Sequence, residues 1–390
     1  MPFQWEFILY WNFMKKRVCA SIIENILIES SEITFFRIFA KQRQILFPMI
    51  TAKHNYSLKN NNTFRIDQTA KCFVEYEIEQ ELVDYIRSGA LEGEKYIFVG
   101  EGSNLLLTQD FDGVVVRSLN KEISVVCENE KEVFVKAGAG LHFDDLIAYC
   151  VEKGFGGIEN LSLIPGTVGA SAVQNVGAYG VEAGDRIHTV RMVDVKSGEV
   201  VEAGKEECEF DYRMSRFKKD WADKYAVVSV TYRLDKNPEF VLSYGGLSKM
   251  MEGKELSLQS VRDCVIAVRR DKLPAVEEYG SAGSFFKNPI VSKEKYEKVV
   301  KVLRNENDES AVPMYEVSET EVKIPAGWLI EKCGWKGQKR GDVGVWHKQA
   351  LILVNYGNGS GRDVQSLSKS IQDDVRNKFE IELHPEVIVL

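Results

Sequence analysis

The stretch Val99-Gly100-Glu101-Gly102-Ser103-Asn104-Leu105 decides how this chain is read. It follows the apolar run Tyr96-Ile97-Phe98-Val99, which reads as a buried strand. Its first two glycines match the G-x-G-x-x-G dinucleotide fingerprint, but Leu105 stands in the third place, which disfavours a Rossmann fold. A second stretch, Leu163-Ile164-Pro165-Gly166-Thr167-Val168-Gly169-Ala170-Ser171, runs on to Asn175-Val176-Gly177-Ala178-Tyr179-Gly180. Glycine has no Cβ, so main-chain N–H groups can approach and encircle an anion. The two stretches together read as a cradle for a pyrophosphate, whereas either alone reads equally well as a tight turn.

The remaining composition narrows the classes. A chain of 390 residues with 44% hydrophobic and 28% charged residues holds two or three domains of ordinary globular character. A net charge of −8 argues against a broad nucleic-acid surface, which needs a basic face to collect phosphates. Seven cysteines and five histidines are scattered without zinc spacing or CxxC pairs, as expected of reduced thiols in a cytoplasmic protein without a bound metal.

Residues 1–48 differ in character from the rest: aromatic-rich, with apolar runs broken by Glu6, Lys15, Lys16, Arg17, Glu24, Glu29 and Arg37. They make neither a membrane span of ~20 apolar residues nor a signal peptide. The expectation is an N-terminal extension upstream of a natural start at Met49; an amphipathic appendage is the rival reading. From Tyr56 onward, strands are expected at Cys72–Tyr76, Val114–Arg117, Ser124–Val126, Val133–Lys136, Thr189–Asp194 and Ala226–Tyr232. Helices are expected at Glu79–Arg87, Leu141–Cys150, Ser257–Arg270, Ser292–Arg304 and Asp363–Phe379. Strands and helices without a strict βαβ rhythm predict an α+β architecture, with a boundary near Asn237-Pro238-Glu239.

Four further clusters carry chemistry-bearing groups. Asp211-Tyr212-Arg213-Met214-Ser215-Arg216-Phe217-Lys218 offers guanidinium groups that can grip a carboxylate, or is a solvated strand edge. Gly280 to Pro289 places Ser284 in a small-residue turn before two phenylalanines, where it can face an aromatic-walled pocket or cap backbone. Arg269-Arg270-Asp271-Lys272 suits a phosphorylated ligand or plain surface. Glu386, in His384-Pro385-Glu386-Val387, would have a raised pKa if buried, although an exposed position is the commoner one for a lone glutamate.

In combination, GEGSN at 100–104, IPGTVGASAVQNVGAYG at 164–180, YRMSRFK at 212–218, GSAGSFFKNP at 280–289, IPAGWLIEKCGWKG at 324–337 and HPEV at 384–387 resemble the UDP-N-acetylenolpyruvoylglucosamine reductases. The likeness covers residues 56–390 in order. It implies an FAD-binding domain of the vanillyl-alcohol-oxidase (PCMH) type at 56–237, in two subdomains, followed by a smaller α+β substrate-binding domain at 238–390. It implies NADPH-dependent reduction of UDP-N-acetylglucosamine enolpyruvate to UDP-N-acetylmuramate in peptidoglycan synthesis, by a cytoplasmic monomer without nucleic-acid partners or membrane insertion. The family's catalytic positions fall on Arg213, Ser284 and Glu386. Its cofactor contacts fall on Gly100, Gly102, Ser103, Asn104, Pro165, Gly166, Gly169, Ala170, Gly177 and Tyr179, and its substrate contacts on Tyr212, Tyr244, Lys272, Asn288 and Gln349. Leu242-Ser243-Tyr244-Gly245 resembles the tyrosine loop of one branch of the family. Arg65 departs from the pattern, standing where glycine is common, and residues 1–48 have no counterpart. A sugar-lactone oxidase sharing the FAD fold, and a nucleotide-binding regulatory module without turnover, are the alternatives.

Overall fold

A computed structural model describes residues 50–390 except 245, 277, 307 and 309. The expected N-terminal extension and the Met49 start lie outside the described residues, as does Gly245 of the tyrosine loop.

Two sheets carry the N-terminal half, and the helices pack on them. The first has the strand order Ala52–Ser57, Thr69–Tyr76, Phe111–Ser118, Tyr96–Val99. Phe111–Ser118 runs parallel to both of its neighbours, and Ala52–Ser57 is antiparallel to Thr69–Tyr76. The second sheet is antiparallel, in the order Val200–Gly204, Ile187–Asp194, Tyr225–Asp235, Glu132–Gly138, Ile123–Glu128. One face of its central strand serves two cores. Ala226 and Val228 pack with Val74, Val116 and the buried Leu82, Val83 and Ile86 of helix Glu79–Arg87, while Val230, Tyr232 and Leu234 pack with Phe143 and Leu146. The expected α+β elements form, each within a few residues of the span read from the sequence.

The other face of the first sheet holds the C-terminal half in place. Phe73, Val115 and Leu105 to Leu107 join Phe285, Phe286, Leu329, Val343, Leu353 and Val387 in the largest core, so this core draws on both sides of residue 237. Helix Gly361–Phe379 contributes Val364, Leu367, Ile371, Val375 and Phe379, which recur every three or four residues and so share one face. Ser360 caps its start, accepting from the Asp363 N–H. Each such side chain taken fully from water stabilises the fold by about 1.5–3 kcal/mol.

Residues 163–171 read from the sequence as part of an anion cradle or as a tight turn, yet Val168–Gln174 is a helix. Thr167 caps it, Oγ1 accepting from Ala170 N at 3.4 Å, and Asn175 ends it at φ +45°. Its Gly169 packs against Ala139, where an added Cβ would lie 2.9 Å from the Ala139 methyl, and Ala170 and Ala172 are small as well. Small residues leave no apolar stripe at helical spacing, which is why the sequence hid this helix.

Candidate active site

The two glycine stretches face each other across one cavity of about 760 Å³, within the ~300–1,000 Å³ usual for ligand pockets. They interlock closely enough to explain their composition. A Cβ on Gly100 would lie 2.5 Å from Thr167 Oγ1, and one on Gly166 would lie 2.8 Å from Ser103 Oγ. A Cβ on Gly102 would lie 2.2 Å from the Asn61 carbonyl oxygen, and Gly102 also takes φ +65°. Gly166 N–H donates to Glu101 Oε2 at 2.9 Å, and Ser103 Oγ donates to the Pro165 carbonyl at 3.3 Å. The glycines therefore first allow loop to meet loop. The result is a narrow wall of main chain formed by Gly100, Gly102, Ser103, Asn104, Pro165, Gly166, Gly169 and Ala170, with Gly177 nearby on the same cavity.

Arg213, Ser284 and Glu386 come from three distant segments and line this same cavity. Strand-like pairing places the last two beside each other. Glu386 N donates to the Phe285 carbonyl at 2.8 Å, Lys287 N donates to the His384 carbonyl at 2.9 Å, and Ser284 bridges antiparallel to Ile352. Both phenylalanines belong to the main core, Phe285 against Phe64, and Phe286 also lines the cavity. The Ser284 side chain is exposed on the cavity.

Arg213 sits in the left-handed region at φ +53° and is held from three directions. Its Nε meets Glu386 Oε1 at 3.2 Å, Nη1 meets Glu182 Oε1 at 3.1 Å, and Nη2 donates to the Gly177 carbonyl at 2.5 Å. These take three of a guanidinium's five N–H donors, which leaves two for a ligand. Burial pushes the Glu386 carboxyl above its ordinary range, against the pull of Arg213, Lys218 and Lys287. Lys218 donates to Gln174 Oε1 at 2.7 Å, and burial, reinforced by Lys287, brings its ammonium down to about 8.

Among the residues expected to touch substrate, Tyr212 and Asn288 line the cavity, and Asn288 Nδ2 donates to the Tyr212 hydroxyl at 3.3 Å. Asn288 Oδ1 also accepts from Ala326 N at 2.9 Å, which ties the pair to helix Ala326–Lys332. Tyr244, Lys272 and Gln349 are not part of the lining. Tyr244 stacks on Tyr315 at 6.0 Å, Lys272 is exposed, and Gln349 Oε1 accepts from Leu351 N at 3.3 Å. Tyr179, expected on the cofactor, packs instead against helix Leu258–Lys272, with its hydroxyl toward Arg269. Arg269 does line the cavity and donates to the Leu163 carbonyl at 3.3 Å. Glu182 and Tyr315 carry no sequence signal of their own, and Asn175 is seen only as part of the second glycine stretch; the fold shows Glu182 and Asn175 backing Arg213 and Tyr315 backing Tyr244.

Arg65 adopts φ +57°, the conformation that a glycine there takes without strain, and its guanidinium donates to the Val276 carbonyl. Beneath the cavity, Asp144 accepts Arg262 at 2.6 and 2.8 Å and the Leu163 N–H at 2.6 Å, fixing a leucine that itself has φ +60°.

Comparison with known proteins identifies the family. The FAD binding domain family matches residues 70–204, and the UDP-N-acetylenolpyruvoylglucosamine reductase C-terminal domain matches residues 275–390. UDP-N-acetylenolpyruvoylglucosamine reductase of Bacteroides fragilis is 44% identical over 336 residues, spanning 86% of this chain and 99% of the relative. The enzyme of the same name from Porphyromonas gingivalis is 41% identical over 337 residues, spanning 86% and 98%. The crystal structure of UDP-N-acetylenolpyruvylglucosamine reductase from Thermus caldophilus shares the fold at a TM-score of 0.60 and 22% identity, covering 88% of this chain and 99% of that one. With relatives matched over nearly their whole length, the chain belongs to the UDP-N-acetylenolpyruvoylglucosamine reductase family.

Proposed function

We propose that this FAD oxidoreductase reduces UDP-N-acetylglucosamine enolpyruvate to UDP-N-acetylmuramate with NADPH, for peptidoglycan synthesis. The observation that carries the reading is the gathering of Arg213, Ser284 and Glu386 around the cavity walled by both glycine stretches. The wall suits the cofactor: Gly100, Gly102, Gly166 and Gly169 bring main chain to the cavity, and Ser103, Asn104 and Thr167 add short polar side chains beside it. FAD held along Gly100 to Asn104 and Pro165 to Ala170 would supply hydride chemistry, with NADPH as the reductant and C3 of the enolpyruvyl group as the acceptor.

The chain's own residues manage the charge and the proton. Addition at C3 builds negative charge on C2 and the carboxylate, and the two free N–H donors of Arg213 are aimed at that anion. Such a donor, fixed before the reaction, is worth about 3 kcal/mol in comparable sites. Ser284 Oγ gives its proton to C2; the hydroxyl is a weak acid, but a carbanion-like centre is strongly basic, and Lys287 and Lys218 supply positive charge nearby. Glu386 acts as a neutral acid, because an ionised carboxylate beside the same anion would repel it. Tyr212 and Asn288 position the sugar end, and Tyr244, stacked on Tyr315, closes over the UDP group as in the branch with the tyrosine loop. Lys272 and Gln349 belong to the same substrate reading, and a cytoplasmic monomer completes it; sedimentation and cell fractionation check those last two points.

The test is a visible spectrum of the purified protein followed through addition of NADPH and then of the enolpyruvyl substrate. A flavin band should bleach with NADPH and return with substrate. In Ser284→Ala the bleaching should proceed normally and the return should slow by about 10²–10⁴-fold. An unchanged return would remove Ser284 from the chemistry, while rapid oxygen uptake with a sugar alone would favour an oxidase.

A further inference from the structure

Two carboxylates share the Arg213 guanidinium, and they are held differently. Glu182 is absent from the cavity lining, and both its oxygens are engaged: Oε1 by Arg213 Nη1 at 3.1 Å and Oε2 by Asn175 Nδ2 at 2.8 Å. Asn175 is only 1% exposed and is itself fixed, Oδ1 accepting from Gly184 N and Nδ2 donating to the Asp211 carbonyl, both at 2.8 Å. Glu386 lines the cavity, is the more buried of the two (19% side-chain exposure against 29%), and meets Arg213 through Nε at 3.2 Å. One guanidinium carries one positive charge. When two partly buried carboxylates adjoin it, the better-clamped one keeps its charge and the other is driven to hold a proton.

We infer that Glu182 is a positioning residue: clamped by Asn175, it fixes and neutralises the Arg213 guanidinium so that Glu386 stays in its acid form. The inference rests on the reading of Glu386 as a neutral acid given above. Arg213, Lys218, Lys287 and Tyr212 face Glu386, while Arg213, Asp185, Asn175 and Lys323 face Glu182. Burial pushes both carboxyls upward, with Arg213 opposing it in each. Removing the Glu182 charge leaves Arg213 to Glu386 alone and takes away a like charge, and both changes favour the ionised form of Glu386.

The experiment uses holoenzyme reduced with one equivalent of NADPH and mixed rapidly with UDP-N-acetylglucosamine enolpyruvate over a range of pH. In the wild type the rate of flavin reoxidation should fall as pH rises through the Glu386 titration. In Glu182→Gln that alkaline limb should move to lower pH by about one unit, while bleaching by NADPH is unchanged. Glu182→Asp keeps the charge but draws it back by one methylene, so its limb should shift in the same direction by less; it carries the test if the glutamine variant fails to fold. A rate lowered equally at every pH with the limb in place would mean a structural role only and would overturn the inference. Glu386→Gln separates the two readings. If its alkaline limb persists, the acid reading of Glu386 fails; if the limb is gone there yet unmoved in the Glu182 variants, the role given to Glu182 alone fails.

Discussion

The two ends of the cavity are built from different materials. The glycine-lined end is main chain: Gly100, Gly102 and Gly166 lack side chains because neighbouring protein atoms occupy the space where a Cβ would go. The opposite end is a set of charged and hydroxyl side chains, Arg213, Lys218, Ser284 and Glu386, whose partners arrive from other segments. A site made of backbone fails sterically when altered, and one made of side chains fails electrostatically. The first kind of failure removes the fold of a loop, while the second leaves a folded protein with the wrong charge at one atom.

Three substitutions, the first with a control, sharpen that contrast, taken from the largest effect to the smallest. Gly102→Ala forces a Cβ to 2.2 Å from the Asn61 carbonyl at φ +65°, and should cost about 3 kcal/mol or more of stability together with most of the bound flavin. Gly93→Ala is its control, since φ is +73° but nothing lies within 4 Å, and it should cost only about 1 kcal/mol. Equal flavin content and equal denaturant midpoints in the two would break the distinction between crowding and conformation.

Asp144→Asn tests a charged pair that serves the backbone end. Side-chain exposures of 14% for Asp144 and 11% for Arg262 make the pair largely buried, and losing one member should destabilise the protein by about 3 kcal/mol. Burial would push the Asp144 carboxyl up, yet Arg262 and the Leu163 N–H hold it below its ordinary value. Its contribution is therefore full above the unfolded carboxylate pKa and is lost as pH falls through the lowered native value. The difference between wild type and Asp144→Asn in urea melts should accordingly narrow in acid, and a gap that widened there would contradict the pairing. Smallest is Arg65→Gly, which relieves a left-handed arginine at φ +57° and should raise stability by up to about 1 kcal/mol, less whatever the hydrogen bond to Val276 contributes.

The same contrast explains what could be read from the sequence. Regular elements were legible wherever apolar residues recur with a period, as in helix Gly361–Phe379 or strand Tyr225–Asp235. The pairing of the glycine stretches was legible because missing side chains are themselves a pattern, but the helix Val168–Gln174 within the second was not, since its small residues carry no stripe. The identities of Arg213, Ser284 and Glu386 came from the family motifs. Their number of partners did not: Glu182 and Asn175 sit within a run that reads as turn, and their purpose depends on an arginine more than thirty residues along the chain. Tyr179 shows the converse, a residue carried over from a motif and then turned by φ +49° toward Arg269 instead of the cavity.

Ile388–Val389 pairs in parallel with Leu105–Leu106, Asn104 Nδ2 donates to the Glu386 carbonyl at 3.2 Å, and Thr108 donates twice to the Leu390 carbonyl at 2.7 Å. These bonds span 282 residues of chain. A nascent chain still in the ribosome tunnel has neither this strand nor its glutamate, so its first glycine loop emerges with one flank unsupported. The first glycine loop is thus complete only once the last strand of the described chain has docked beside it.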